Sequence, residues 1–131
     1  MNAEAGSLVI VTTAVGSRSD AARLAGALLE SRLAACVQYH AIRSVYRWKG
    51  RVERASEFLL AAKTRKSLAG RLAALIRARH TYEVPEILVM PVAEGLAEYA
   101  RWVLAETETA ADRGRGRERQ RAPARRRSPP A

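Results

Sequence analysis

Ala34-Ala-Cys-Val-Gln-Tyr-His-Ala-Ile-Arg-Ser-Val-Tyr-Arg-Trp48, followed by Lys49-Gly50 and then Val52-Glu-Arg-Ala-Ser-Glu-Phe-Leu-Leu-Ala-Ala-Lys-Thr64, is the stretch that decides the fold. In its first half Val37, Tyr39 and Ala41 alternate with Gln38 and His40, the period of a strand. The alternation slips near Arg43-Ser44 and resumes at Val45, Tyr46 and Trp48, which predicts a bulge or bend in one long strand. Gly50 supplies the positive φ that a tight turn needs. In the returning half Phe58, Leu60 and Ala62 fall on one face, and Glu57, Leu59, Ala61 and Lys63 on the other. Strands of about 12 residues are twice the usual length. Their far ends, from Tyr46 to Arg54, reach beyond what two helices can cover, and a bare edge of that length invites another chain. The hairpin is expected to pair with its counterpart in a neighbouring subunit.

On the N-terminal side, Leu8-Val-Ile-Val-Thr-Thr13 is a β-branched run that predicts a strand buried on both faces. Ser17 stands three residues before Asp20, a helix-start signal in which the hydroxyl takes an orphan backbone N–H. Ala21, Leu24, Ala25, Leu28, Leu29 and Leu33 follow at helical spacing. On the C-terminal side, Leu68, Leu72, Leu75, Ile76 and Arg79 predict a second amphipathic helix that stops before His80-Thr-Tyr-Glu-Val84, because Pro85 pushes Val84 out of helical geometry. Glu86 to Met90 predicts a fourth strand, which Pro91 should end or confine to an edge. A last helix from Glu94 to about Glu106 is expected to bury Leu96, Tyr99, Val103 and Trp102. The order β-α-β-β-α-β-α is an α+β, ferredoxin-like βαββαβ sandwich with an extra C-terminal helix.

The chain of 131 residues suits one domain. Its apolar share is 48% but its aromatic share only 5%, so alanine and leucine must fill the core. At roughly 25 cal/mol per Å² of buried apolar surface such a monomer is marginal, and association is the usual remedy. The net charge of +10 is uneven. Residues 1–108 hold 15 Lys/Arg against 11 Asp/Glu, as a generic domain would, whereas residues 109–131 hold eight arginines against Asp112 and Glu118. The expected division is a domain over 1–108 and a disordered arginine-rich tail over 109–131, too poor in apolar residues to offset its ordering entropy. Cys36, the single cysteine, has no intrachain partner, and the sequence holds no run of 18 apolar residues. Met1 to Ser7 shows no basic region followed by an apolar stretch, so a secretory leader is not expected. The expectation is a cytoplasmic protein that does not enter a membrane.

Arg32-Leu-Ala-Ala-Cys-Val-Gln38, Ser44-Val-Tyr-Arg-Trp-Lys-Gly50, Glu57 with Lys63-Thr64, and His80-Thr-Tyr-Glu-Val-Pro-Glu-Ile87 followed by Pro91-Val92, Gly95, Tyr99 and Trp102 resemble the CutA divalent-cation tolerance family. The resemblance covers roughly residues 7–106. It implies a non-enzymatic homotrimer of ferredoxin-like subunits, similar to PII signalling proteins and linked to tolerance of divalent metals such as copper. It also implies copper ligands: a cysteine at the end of the first strand and two histidines before the Tyr-x-x-Pro-Glu segment. Here the cysteine position is Thr12 and the first histidine position is Arg79, leaving His80. A guanidinium does not ligate copper and repels a cation.

Several residues carry site readings. Cys36, His40 and His80 are the soft metal ligands, but none stands at a metal-ligand spacing. Cys36 reads either as a ligand-site residue or as a small apolar strand residue. His80 reads either as a cap at the end of the second helix or as a metal ligand, with Glu83 and Glu86 completing a site between subunits. Lys63, Glu57, Tyr82 and Glu86 form a second set, an anion site at a strand end or a salt-bridge cluster. Tyr46, Trp48 and Trp102 are expected at the trimer interface. No nucleophile elbow, phosphate-cradling Gly-Lys loop or His-Glu-x-x-His stands in the chain, and Arg18 lacks the glycine-rich phosphate loop of an acylphosphatase, so no enzyme is expected. The tail offers weak, salt-sensitive nucleic-acid binding, or binding to an acidic protein, as the alternative function.

Overall fold

A computed structural model describes residues 5–107; the arginine-rich tail expected over 109–131 lies outside them. Strand β1 spans Leu8–Val15 and leads through Gly16-Ser17 into helix α1, Arg18–Glu30. Ser17 is the N-cap, its hydroxyl accepting from the Asp20 N–H at 3.1 Å. Strand β2, Cys36–Trp48, and strand β3, Arg51–Arg65, form the long hairpin. Lys49 and Gly50, with φ of 50° and 80°, make the two-residue turn whose twist suits a hairpin. A 3₁₀ turn at Lys66–Leu68 opens helix α2, Ala69–Arg79; strand β4, Leu88–Pro91, and helix α3, Ala97–Glu106, complete the chain.

The sheet order is β2-β3-β1-β4 with every neighbouring pair antiparallel. This is the ferredoxin-like arrangement: β3 fills the slot that the β1-α1-β2 crossover leaves, and β4 lies at the edge and ends at Pro91. Helices α1 and α2 cover one face. There Val9, Val11, Val15, Leu60 and Ala62 pack against Leu24, Leu28, Leu72 and Ile76. Helix α3 forms a second cluster with Ala5 and Leu8 through Ala100 and Val103. Leu8 has the opposite strand parity to Val9, so α3 lies against the other face, at one end of the sheet. Arg65 fastens it there, donating to the Leu104 carbonyl and to the Thr107 hydroxyl.

Three expectations are corrected. The β2–β3 register runs unbroken from Cys36 opposite Lys63 to Trp48 opposite Arg51, with no bulge at Arg43-Ser44. The hydrophobic phase slips there because the ribbon leaves the cover of the helices, and beyond that point burial no longer selects one face. Leu29 is 45% exposed, since the buried stripe of α1 is Ala21, Leu24, Ala25 and Leu28 and position 29 lies a further 100° round the helix. Leu96 is 61% exposed because it is the N-cap of α3 and stands outside the helix it was expected to anchor.

Candidate functional site

Where the arm leaves the body of the sheet, the β3 ladder places Glu57 on the face away from α1 and α2. Glu57 is only 7% exposed, and Oε2 accepts from the Tyr82 hydroxyl at 2.7 Å. Tyr82 belongs to the loop between α2 and β4, and His80 holds that loop in place. The Tyr82 N–H donates to His80 Nδ1 at 3.1 Å, so Nδ1 carries no proton and Nε2 donates to the Ala14 carbonyl at 2.8 Å. The two rings stack at a tilt with centroids 4.8 Å apart. His80 is thus the cap residue that ends α2, with both ring nitrogens engaged.

Around this anchor lies a cleft of about 680 Å³, walled by Tyr46 and Trp48 of the arm and by Glu57, Tyr82, Glu83 and Glu86. The pKa of Tyr82 is raised well above the ordinary phenol value, first by burial and then by the hydrogen bond and charge of Glu57. The residue as a whole is 37% exposed, and its hydroxyl reaches in to Glu57 and lies close to Gly16. The phenol therefore stays protonated as a donor, and Glu57 is the acceptor. Aromatic faces beside carboxylates give the cleft the chemistry to hold a cationic or amphipathic group.

The structure brings Glu57, Tyr82, Glu83 and Glu86 together with Tyr46 and Trp48, and separates them from the other expected residues. Lys63 lies six residues along β3 from Glu57, about 20 Å away. It is the cross-strand partner of half-buried Cys36, and its ammonium sits 5.6 Å from the centre of the Tyr99 ring on α3. Trp102 packs beside Tyr99, 5.6 Å between centroids, within the α3 cluster. Tyr46 and Trp48 are 44% and 37% exposed on the arm. The sequence pattern did not reveal the Ala14 carbonyl as the anchor of His80, nor the exposed face formed by Leu88 and Met90, 56% and 43% exposed, on the edge strand.

Thr12 lies in mid-β1 between Ala61 and Leu88, and Arg79 is the last residue of α2. Among the described residues no three His, Cys, Asp or Glu side chains converge to hold a metal ion. With both His80 nitrogens engaged as well, the residues of a single chain do not fit the copper site that the resemblance implied.

A family profile described as CutA1 divalent ion tolerance protein matches residues 9–106, a span that takes in all of β1 but Leu8 and every later strand and helix described above. The chain belongs to the CutA1 family. Among CutA relatives, it is 43% identical to human "Protein CutA" over 93 residues, which are 70% of this chain and 52% of the human protein. It is 41% identical to the "Divalent-cation tolerance protein CutA" of Thermus thermophilus over 99 residues, 75% of this chain and 96% of that one. The chain spans about half the length of its human and mouse relatives. Among solved CutA structures, that of the Thermus thermophilus protein superposes with a TM-score of 0.74 at 40% identity, covering 77% of this chain and 99% of the other. The Archaeoglobus fulgidus protein, described as a periplasmic divalent cation tolerance protein, gives 0.76 at 34% identity over 77% and 99%. Among the described residues of this CutA1 chain no helix is long and apolar enough to cross a membrane.

Proposed function

We propose that this CutA1-family chain acts as a PII-like homotrimer, cytoplasmic and non-enzymatic, that binds its ligand in the seams between subunits as part of a response to divalent metal ions. The observation that carries this reading is the exposed sheet face beside the arm. Leu88 and Met90 stand open on an edge strand, and Tyr46 and Trp48 stand open on the same face of a hairpin that extends past the helices. An edge strand with unpaired backbone groups and exposed apolar side chains is the surface that a second copy completes. The small-residue core supports the same conclusion, since association adds the burial that a single chain lacks.

The cleft by Glu57 would become part of such a seam, and the names of the relatives supply the link to divalent-cation tolerance. Because one chain does not build a copper site, a bound cation would be held between chains, with Glu83 and Glu86 as oxygen ligands suited to a hard or borderline ion. Half-buried, unpaired Cys36 is compatible with a reducing compartment.

Light scattering after size exclusion at micromolar concentration is expected to give the mass of three chains, and Leu88→Asp with Met90→Asp to give one. Calorimetric titration with copper and manganese should then show uptake by the trimer that Glu83→Gln with Glu86→Gln abolishes. A stable single chain, or metal uptake untouched by those substitutions, would refute the reading.

A further inference from the structure

The face of the arm opposite the cleft carries a different chemistry. In the β2–β3 ladder Arg43 lies opposite Ser56, Arg54 opposite Val45 and Arg47 opposite Val52, so all three arginines project from one face. Arg54 is diagonal to both others, at roughly 7–8 Å, and Arg43 to Arg47 spans about 13 Å. All three are exposed, and among the described residues none forms an ion pair. The carboxylates of this ribbon, Glu53 and Glu57, point to the other face. Three adjacent exposed guanidinium groups without a counter-charge make a positive patch that attracts an anion.

The stripe continues inward. The Arg18 guanidinium sits 5.1 Å from the centre of the Phe58 ring, and Tyr39, 37% exposed, meets Phe58 edge-on with centroids 6.5 Å apart. A row of guanidinium groups ending at a half-open aromatic ring is the arrangement of a single-strand binding surface, with the arginines tracking phosphates and the ring offering a stacking plane to a base.

We infer that the arginine face of the arm binds the phosphodiester backbone of a nucleic acid, independently of base sequence. The three guanidinium groups can together neutralise about three phosphates of one strand. An acidic polypeptide would satisfy the charges but would have no use for the open Tyr39 ring, and the eight arginines of residues 109–131 add charge of the same sign. The inference does not rest on the seam reading, because these side chains lie on the opposite face from the cleft.

The test is fluorescence anisotropy of a labelled single-stranded 20-nucleotide RNA with the full-length chain, across salt concentrations. Each phosphate neutralised contributes about 0.7 to the slope of log K against log salt. Arg43→Gln with Arg47→Gln and Arg54→Gln is expected to lower the slope by about 2 and weaken binding on the order of ten-fold or more at low salt. The Lys triple variant should keep the slope, and Tyr39→Ala should weaken binding with the slope unchanged. If the triple Gln variant does not fold, Arg54→Gln alone should lower the slope by about 0.7. No binding at low salt, a slope unaffected by the Gln substitutions, or competition by poly-glutamate equal to that by RNA would overturn the inference.

Discussion

Replacing Tyr82 by Phe removes one oxygen and leaves the ring in place, so it isolates the hydrogen bond that ties the α2–β4 loop to the arm. The bond is short, 2.7 Å, and its acceptor is a carboxylate only 7% exposed. Hydrogen bonds to charged groups contribute about 1.5–3 kcal/mol, and the 37% exposure of Tyr82 places this one toward the lower end. In a Glu57→Gln background the acceptor is neutral, and the same deletion should cost about 0.5–1.5 kcal/mol. The expected coupling between the two positions is therefore about 1 kcal/mol, measurable by urea denaturation of the four proteins at neutral pH and one fixed protein concentration. The raised Tyr82 pKa adds a second arm. A group whose pKa is raised on folding stabilises fully below its unfolded value, here about 10, and loses that contribution as pH climbs toward the folded value. Wild type should lose stability above pH ~10 more steeply than Tyr82→Phe. Equal losses in the two backgrounds, or parallel alkaline curves, would show that the Glu57–Tyr82 contact does not hold the loop.

Ser17→Ala should destabilise by about 1 kcal/mol in thermal or urea unfolding, through loss of the cap on the Asp20 N–H, and Ser17→Asp should recover most of it. Gly50→Ala, at φ 80°, should cost about 1–2 kcal/mol, and Gly50→Asn less, because Asn tolerates the left-handed region. His80→Ala frees the Ala14 carbonyl and the Tyr82 N–H together. Hydrogen exchange at Tyr82 should accelerate at least ten-fold, with the amides of β1 outside Ala14 unchanged.

The fold was legible wherever burial acted on a regular period. The core stripe of α1 appears in the spacing of Ala21, Leu24, Ala25 and Leu28, and the turn at Lys49-Gly50 appears in the glycine. The edge position of β4 follows from Pro91. Reading failed where a residue left the core. The phase slip at Arg43-Ser44 looks like a bulge only while one face of the strand is assumed to be buried, and the register shows that the ribbon simply emerges. Leu29 and Leu96 were expected inside because they are leucines near a stripe, and hydrophobicity alone does not say where a helix face ends.

The site was legible as residue types but not as groups, since grouping depends on cross-strand register and on loop closure. Glu57 and Tyr82 meet across 25 residues because β3 and the loop after α2 converge, whereas Lys63, on the same strand and the same face as Glu57, is carried about 20 Å away to the ring of Tyr99. His80 shows why a ligand type is not a ligand. Its Nδ1 is spent on the Tyr82 N–H and its Nε2 on the Ala14 carbonyl, so a metal could bind it only by breaking one of the bonds that position Tyr82 over Glu57. Metal capture through His80 and an intact Glu57 cleft are therefore competing states of one loop, which is why the proposed cation site is drawn on Glu83 and Glu86 and not on His80.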